Sequence, residues 1–149
     1  MLKLVKPTID NLYLRTQLLA DEDTMAFNHD YGGTLKFPKE NYEKWLAKWV
    51  NGEKRHYYYV FNDDEFVGEA AYYIDDNERY QLSIIILYQH RHKGYGTQVL
   101  HLLIEDAKQH GVDVLYDEVA YDNPAIEIFL KNGFKIISRT EKTILISNE

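Results

Sequence analysis

The segment "RHKGYGT", residues 91 to 97, gathers the residue types that hold an anion. Arg91 and Lys93 supply charge, Thr97 supplies a hydroxyl donor, and Gly94 and Gly96 leave a main chain with no side chains in the way. An apolar run, "SIIILY" (83–88), precedes the segment and an amphipathic pattern follows it, so it lies where a strand hands over to a helix. The first N–H groups of a helix have no intrahelical acceptor, and the helix dipole favours negative charge beside them. Phosphate fits that description. Two familiar phosphate loops do not match. A P-loop needs four residues between its first Gly and a Gly-Lys pair, whereas Lys93 precedes both glycines, and the dinucleotide fingerprint needs three spaced glycines after the first strand. A tight turn with solvated basic residues is the bland alternative for these residues taken alone.

The elements that must position this loop can be read from periodicity. "LKLVK" (2–6) reads as a short strand, and a first helix follows from Thr8, with Leu12, Leu14, Leu18 and Leu19 at mixed helical spacing. Residues 28–37 read as a loop. A second helix over 38–52 starts near Pro38, carries Tyr42, Trp45, Leu46 and Trp49 on one face, and is closed by Gly52. "RHYYYVFN" (55–62) and "EFVGEAAYYI" (65–74) form a hairpin across Asp63-Asp64. The run 79–88 loses its alternation and predicts a central strand covered on both faces. After the loop, Val99, Leu100, Leu103, Ile104 and Ala107 make one stripe of a helix over 96–110 that Gly111 stops. A strand (112–121), a short helix (123–132) and two strands (134–138, 142–147) complete the order β-α-α-β-β-β-α-β-α-β-β. The strand–helix–strand crossover demands a parallel pair, so the fold class is α/β: a mixed sheet with helices on both faces.

At 149 residues the chain is expected to form one domain, 1–149. Its composition, 45% hydrophobic and 28% charged, argues against disorder. No cysteine is present, which excludes disulfides and thiolate chemistry and suits a reducing compartment. The beginning of the chain turns acidic early and does not read as a secretory signal, and no run would span a bilayer. A cytoplasmic location is expected, with no membrane partner. The net charge of −7 repels nucleic acid and attracts cations, which makes a positively charged amine a suitable partner.

Arg91-His92-Lys93-Gly94-Tyr95-Gly96 resembles the central Gln/Arg-x-x-Gly-x-Gly/Ala motif of the GNAT superfamily of N-acetyltransferases. Around it stand the family's other signposts in order: the apolar strand, the long helix, "VLYDEVAY", "DNPAIEIFLKN" and Gly133-Phe134. The resemblance implies the GNAT acyl-CoA N-acyltransferase fold and acetyl-CoA as cosubstrate. Its pyrophosphate would lie on the N–H groups of His92, Lys93, Gly94, Tyr95, Gly96 and Thr97 beside Arg91. Its pantetheine arm would pair with the exposed backbone of Ile84, Ile85 and Ile86, and Asn123 would bond the arm's amide. Backbone donors near the thioester would stabilise the developing oxyanion, and a bound primary amine would attack directly.

Many members carry a Tyr in the last helix as acid to the departing thiolate; the position here is Phe129. The histone-acetyltransferase branch uses a glutamate early in the preceding strand, where this chain has Tyr80. An attacking amine must first lose a proton. Glu118, on the strand opposite the groove, is the first candidate base, since some protein N-terminal acetyltransferases of the superfamily carry one there; Glu69 in "VGEAAYY" is the second. A solvated or ion-paired strand carboxylate is the alternative for each. Asp117 would face the other way from Glu118 on a regular strand and would replace it if a bulge shifted the register.

Other features have plainer readings. His90 and His92 lack a convincing third ligand, so no metal is expected. Tyr57 to Tyr59 read as strand packing, while Tyr31, Gly32 and Gly33 read as part of a lid over the acceptor site. Acidic clusters at Asp21–Asp23 and Asp75–Glu78 would suit a cationic acceptor. The chain is thus expected to be an N-acetyltransferase acting on a small-molecule amine, polyamine, amino sugar or protein amine, with homodimers common in the superfamily. An acetyl-CoA-binding regulatory module with weak chemistry is the alternative, and a different phosphate-ligand domain a third.

Overall fold

The computed structural model describes residues 1–149, except for the side chains of His29, Asp30 and Tyr31. The lid assignment of Tyr31 therefore lies outside the described residues. Seven strands, β1 (Leu2–Val5), β2 (Arg55–Asn62), β3 (Glu65–Ile74), β4 (Tyr80–Ile86), β5 (Tyr116–Ala120), β6 (Lys135–Arg139) and β7 (Thr143–Ser147), join one sheet in the order β1-β2-β3-β4-β5-β7-β6. Helices α1 (Tyr13–Ala20) and α2 (Tyr42–Trp49) lie on one face, α3 (Tyr95–Gln109) and α4 (Ile126–Lys131) on the other. Among the described residues no helix is long and apolar enough to cross a membrane.

Alternation along the strands feeds two cores. On the α3 face, Tyr58, Val60, Ala70, Tyr72, Leu82 and Ile86 meet the helical stripe of Val99, Leu100, Leu103 and Ala107. Tyr57, Tyr59 and Ala71 turn the other way, onto Leu12, Leu18, Leu19 and Phe37. The tyrosine run is strand packing with alternating sides, as its pattern demands.

The sheet is two antiparallel blocks, β1 to β4 and β5-β7-β6, joined by one parallel contact. Only Gln81 and Tyr116 pair across that joint. Beyond it β4 and β5 diverge, and a wedge-shaped gap opens in the middle of the sheet. The crossover through α3 forces the parallel pairing, and the separate antiparallel partners of β4 and β5 hold the two strands apart.

Some boundaries differ from the sequence expectation for local reasons. The first helix begins as a short 3-10 turn, Ile9–Asn11, in which Asn11 Oδ1 accepts the Thr8 N–H at 2.8 Å. The second ends at Trp49, three residues before Gly52, because the N–H groups of Val50 and Asn51 both close on the Leu46 carbonyl. The loop expected over 28–37 begins inside a 3-10 segment, Ala26–Tyr31. The strand expected over 112–121 is confined to Tyr116–Ala120, since Leu115 gives its N–H to the Asn148 side chain at 2.8 Å instead of to a ladder.

Candidate active site

The gap between β4 and β5 is a cleft of about 560 Å³. Its walls are Ser83 to Ile86 from β4 and Asp117 to Ala120 from β5. One end is closed by Gly94, Tyr95 and Gly96, the flank by Asn123 to Ala125 and Glu127 to Phe129, and the far side by Thr24, Met25, Phe27 and Asn28.

Gly94 occupies the position before α3 with φ 78° and ψ 9°, a left-handed conformation that costs a side-chain-bearing L-residue about 1–2 kcal/mol. His92 is also left-handed, at φ 62°. Together they turn the chain sharply, so that the first N–H groups of α3 face the cleft end. Among the described residues no side chain caps this terminus, which leaves those donors to a ligand. A Cβ on Gly96 would stand 3.0 Å from Ile128 Cδ1 of α4, so the glycine keeps the passage open.

The β4 wall offers its main chain selectively. The Leu87 N–H bonds the Val67 carbonyl at 2.9 Å, and antiparallel pairing alternates, so Ile85 exchanges its bonds with Glu69 on β3. Ile84 and Ile86 then turn their main-chain groups toward the gap. The sequence expectation of three exposed residues, Ile84 to Ile86, narrows to these two, and the Ile86 carbonyl is already engaged.

Arg91 engages it while itself lining the cleft. Arg91 Nε donates to the Ile86 carbonyl at 3.0 Å and its Nη2 to the Thr24 carbonyl at 2.7 Å, while its N–H bonds the Tyr88 carbonyl at 3.1 Å. Arg91 is a strap between β4, the loop and the segment after α1. Thr24 completes the strap by accepting the Tyr88 N–H on its hydroxyl at 3.0 Å and donating to Asp21. His92 and Lys93 are exposed.

The carboxylates separate by face. Glu118 is exposed to the cleft, and Thr143 Oγ1 on β7 donates to its Oε1 at 2.7 Å. Asp117, on the α3 face with Val119, also lines the cleft; burial, with a smaller contribution from the Glu118 charge, raises its pKa to about 7. The β5–β7 register is unbroken, so the bulge that would exchange these two residues is absent. On sequence alone Asp117 is only a substitute for Glu118, because the burial of a strand carboxylate is not a local property.

Glu69 lies elsewhere. It is 6% exposed on the α1/α2 face, outside the cleft walls, with Arg15 Nε 3.3 Å from its Oε2 and the Tyr57 hydroxyl donating to it. Arg15 is itself stacked over Phe37 and Trp45 at 4.6 and 4.5 Å. Burial first, and then the Glu69 charge, push the Tyr57 hydroxyl pKa well up. Asn123 lines the cleft with its Oδ1 taken by the Ala125 N–H at 3.0 Å, which leaves Nδ2 as its donor. Phe129 forms part of the wall and packs edge-on against Phe134. His90 is buried and His92 exposed, so the two imidazoles do not share a face.

A family model described as the acetyltransferase (GNAT) family matches residues 18–134. The chain belongs to the GNAT family. The Bacillus subtilis (strain 168) protein called uncharacterized N-acetyltransferase YobR is 39% identical over 57 residues, a stretch covering 38% of this chain and 23% of that relative. This chain thus matches under a quarter of that protein's length. Among solved structures, spermidine N-acetyltransferase from Vibrio cholerae, in complex with CoA and spermine, superposes with a TM-score of 0.83 at 16% identity over 98% of this chain and 94% of that one. The paia N-acetyltransferase from Thermoplasma acidophilum, in complex with coenzyme A, gives 0.73 at 18% identity, covering 100% and 99%. The Salmonella typhimurium protein yncA, with its cofactor acetyl-CoA, gives 0.74 at 14% over 98% and 92%. At these identities the likeness is one of fold. The seven-stranded mixed sheet of this chain is therefore the GNAT fold expected from the sequence.

Proposed function

We propose that this GNAT protein binds acetyl-CoA in the β4/β5 cleft and transfers the acetyl group to a primary amine. The observation that carries the reading is the wedge itself: two parallel strands that part after one residue pair and end at an uncapped helix terminus behind the left-handed Gly94. A pyrophosphate fits the N–H groups at that terminus, and an extended amide-bearing arm fits the free main-chain groups of Ile84 and the Nδ2 of Asn123. Acetyl-CoA supplies the activated acyl group. The relatives of the same fold that hold CoA or acetyl-CoA support the assignment.

The side chains then divide the proton work. Glu118 opens to the cleft near Phe27 and Asn28, where an acceptor entering from the α1/α2 side would arrive, and it takes the proton the amine must lose. Thr143 holds that carboxylate in place. Asp117 faces the α3 and α4 side, toward Phe129, and with a pKa of about 7 it returns a proton to the departing sulfur, which Phe129 cannot do. Glu69 keeps Arg15 paired and has no part in the transfer. The acceptor is a cationic amine, in keeping with the carboxylates at the cleft and the net charge of −7. The Asp75 cluster does not recruit it, because Asp75 accepts the N–H groups of Asn77 and Arg79 and the Gln81 amide in the β3–β4 turn. A chain without cysteine suits the cytoplasm.

Calorimetric titration of acetyl-CoA, with ATP and NAD as controls, tests the first half. Saturable binding of acetyl-CoA alone is expected, and none in folded, CoA-free protein would sink the proposal. Turnover over a panel of polyamines, amino sugars and peptide amines tests the second half. The apolar Phe129 favours a second reading, a CoA-binding regulator. Tight binding with no turnover on any amine would select it.

A further inference from the structure

We propose a second site, a divalent transition-metal site formed by His56, Asp106 and His110 where the C-terminal end of α3 crosses β2 and β3. One ligand atom from each of the three residues lies within 4.8 Å of the others. None of the three lines the acetyl-transfer cleft. From Gly96 to Asp106 the helix rises about 15 Å, so the site lies at the far end of α3 from the anion loop.

Geometry supports ligation in three ways. Asp106 in the last turn of α3 and His110, the residue that caps it, are four residues apart, which brings both side chains to the same side, over the strand that carries His56. The rings of His56 and His110 approach to 4.5 Å between centroids, and His56 stacks on Tyr72 at 4.5 Å with an interplanar angle of 16°, which fixes its ring plane. The Asp106 carboxylate is oriented by two buried phenols: the Tyr58 and Tyr72 hydroxyls donate to its Oδ2 at 2.7 and 2.8 Å, which leaves Oδ1 to ligate, and His110 Nδ1 meets the Tyr72 hydroxyl and the Asp106 carbonyl, both at 2.9 Å, which leaves its Nε2. Hydrogen-bonded support of a ligating carboxylate is what holds metal sites in register.

The donor set selects the ion. Two imidazoles and one carboxylate suit zinc and its first-row neighbours better than magnesium or calcium, which prefer all-oxygen shells. Zinc–ligand bonds of about 2.0–2.2 Å place tetrahedral ligand atoms about 3.3 Å apart, so the three groups must draw together. The His110 side chain is 45% exposed at the helix end and can swing inward to make that adjustment. The same exposure leaves a fourth position for water. Bound there, the ion would clamp the end of α3 to the sheet and stiffen the helix whose other end faces the cleft.

The test uses the full chain, stripped with chelator and freed of any affinity tag. Co2+ is titrated while its visible absorption is followed, Zn2+ is titrated by calorimetry, and melting is compared in Zn2+ and in EDTA. One equivalent of each metal should bind, and Zn2+ should raise the melting temperature. His110→Ala, at an exposed position, should abolish both effects. His56→Gln should do the same, Tyr58→Phe should weaken binding by about tenfold or more, and His101→Ala, on the exposed side of α3, should leave metal uptake unchanged. No saturable uptake by the wild type, or uptake unchanged in both His110→Ala and His56→Gln, would overturn the site and leave these residues as a hydrogen-bonded cluster. The readouts do not depend on acetyl transfer, so they stand whichever way the amine assays fall.

Discussion

Glu118 and Glu69 look interchangeable as strand carboxylates, yet Glu118 opens to the cleft while Glu69 is buried against Arg15. Glu118→Gln should lower turnover by about 100-fold or more, the usual weight of a positioned base, with acetyl-CoA affinity unchanged in calorimetry. Glu69→Gln should instead act on stability. It leaves the buried Arg15 charge without its carboxylate, at a cost of about 3–5 kcal/mol that urea denaturation would register. A turnover defect in Glu69→Gln with stability preserved would reverse the assignment. Asp117 makes a pH-dependent contribution. Its folded pKa of about 7 lies above the unfolded value of about 3.9, so its contribution to stability is full below about pH 4 and is lost as pH rises to about 7. Asp117→Asn has no such dependence. Against the variant, the wild type should lose roughly 1–4 kcal/mol of stability over that window, at about 1.4 kcal/mol per pH unit. Parallel denaturation curves at pH 4, 5.5 and 7 would show it, and a constant difference would mean that the carboxyl ionises normally.

At the scale of elements, the cleft depends on how closely β3 and β4 approach. A Cβ on Gly68 would lie 2.2 Å from the Ile85 carbonyl oxygen, which is backbone and cannot swing aside. Gly68→Ala should therefore push β4 out of register at the wall of the cleft and weaken acetyl-CoA binding together with stability, whereas a substitution confined to the phosphate loop would weaken binding alone. Arg91 acts at the same scale. Arg91→Ala removes the donors to the Ile86 and Thr24 carbonyls, at about 1–3 kcal/mol, and frees the segment after α1. The amine KM should rise more than the acetyl-CoA affinity falls, and a selective loss of acetyl-CoA affinity would return Arg91 to the role its sequence position suggested. These two residues mark the limit of what one-dimensional pattern can carry. The order of elements, the parallel joint and the glycine turn before α3 were legible because periodicity and glycine spacing are local properties. The Thr24 partner of Arg91 and the Arg15 partner of Glu69 were not, since each lies tens of positions away along the chain, and the burial of Asp117 is likewise no local property.

For the whole molecule, ligand binding and folding are linked, and this supplies a test that needs no knowledge of the amine. Acetyl-CoA at about 100 times its dissociation constant should add about 2.7 kcal/mol to unfolding, if it binds the folded chain alone. For a chain of this size that corresponds to a rise in melting temperature of about 5–10 °C. Gly96→Asp puts a carboxylate into the passage beside Ile128 and at the helix terminus that would receive the pyrophosphate, where its charge repels the ligand and its bulk narrows the opening. The variant should melt within a few degrees of the wild type on its own, because only the end of one flexible side chain has to yield. It should then show no shift with acetyl-CoA. A full shift in Gly96→Asp would move the ligand away from the loop, and with it the argument that the wedge between β4 and β5 exists to hold an acyl donor.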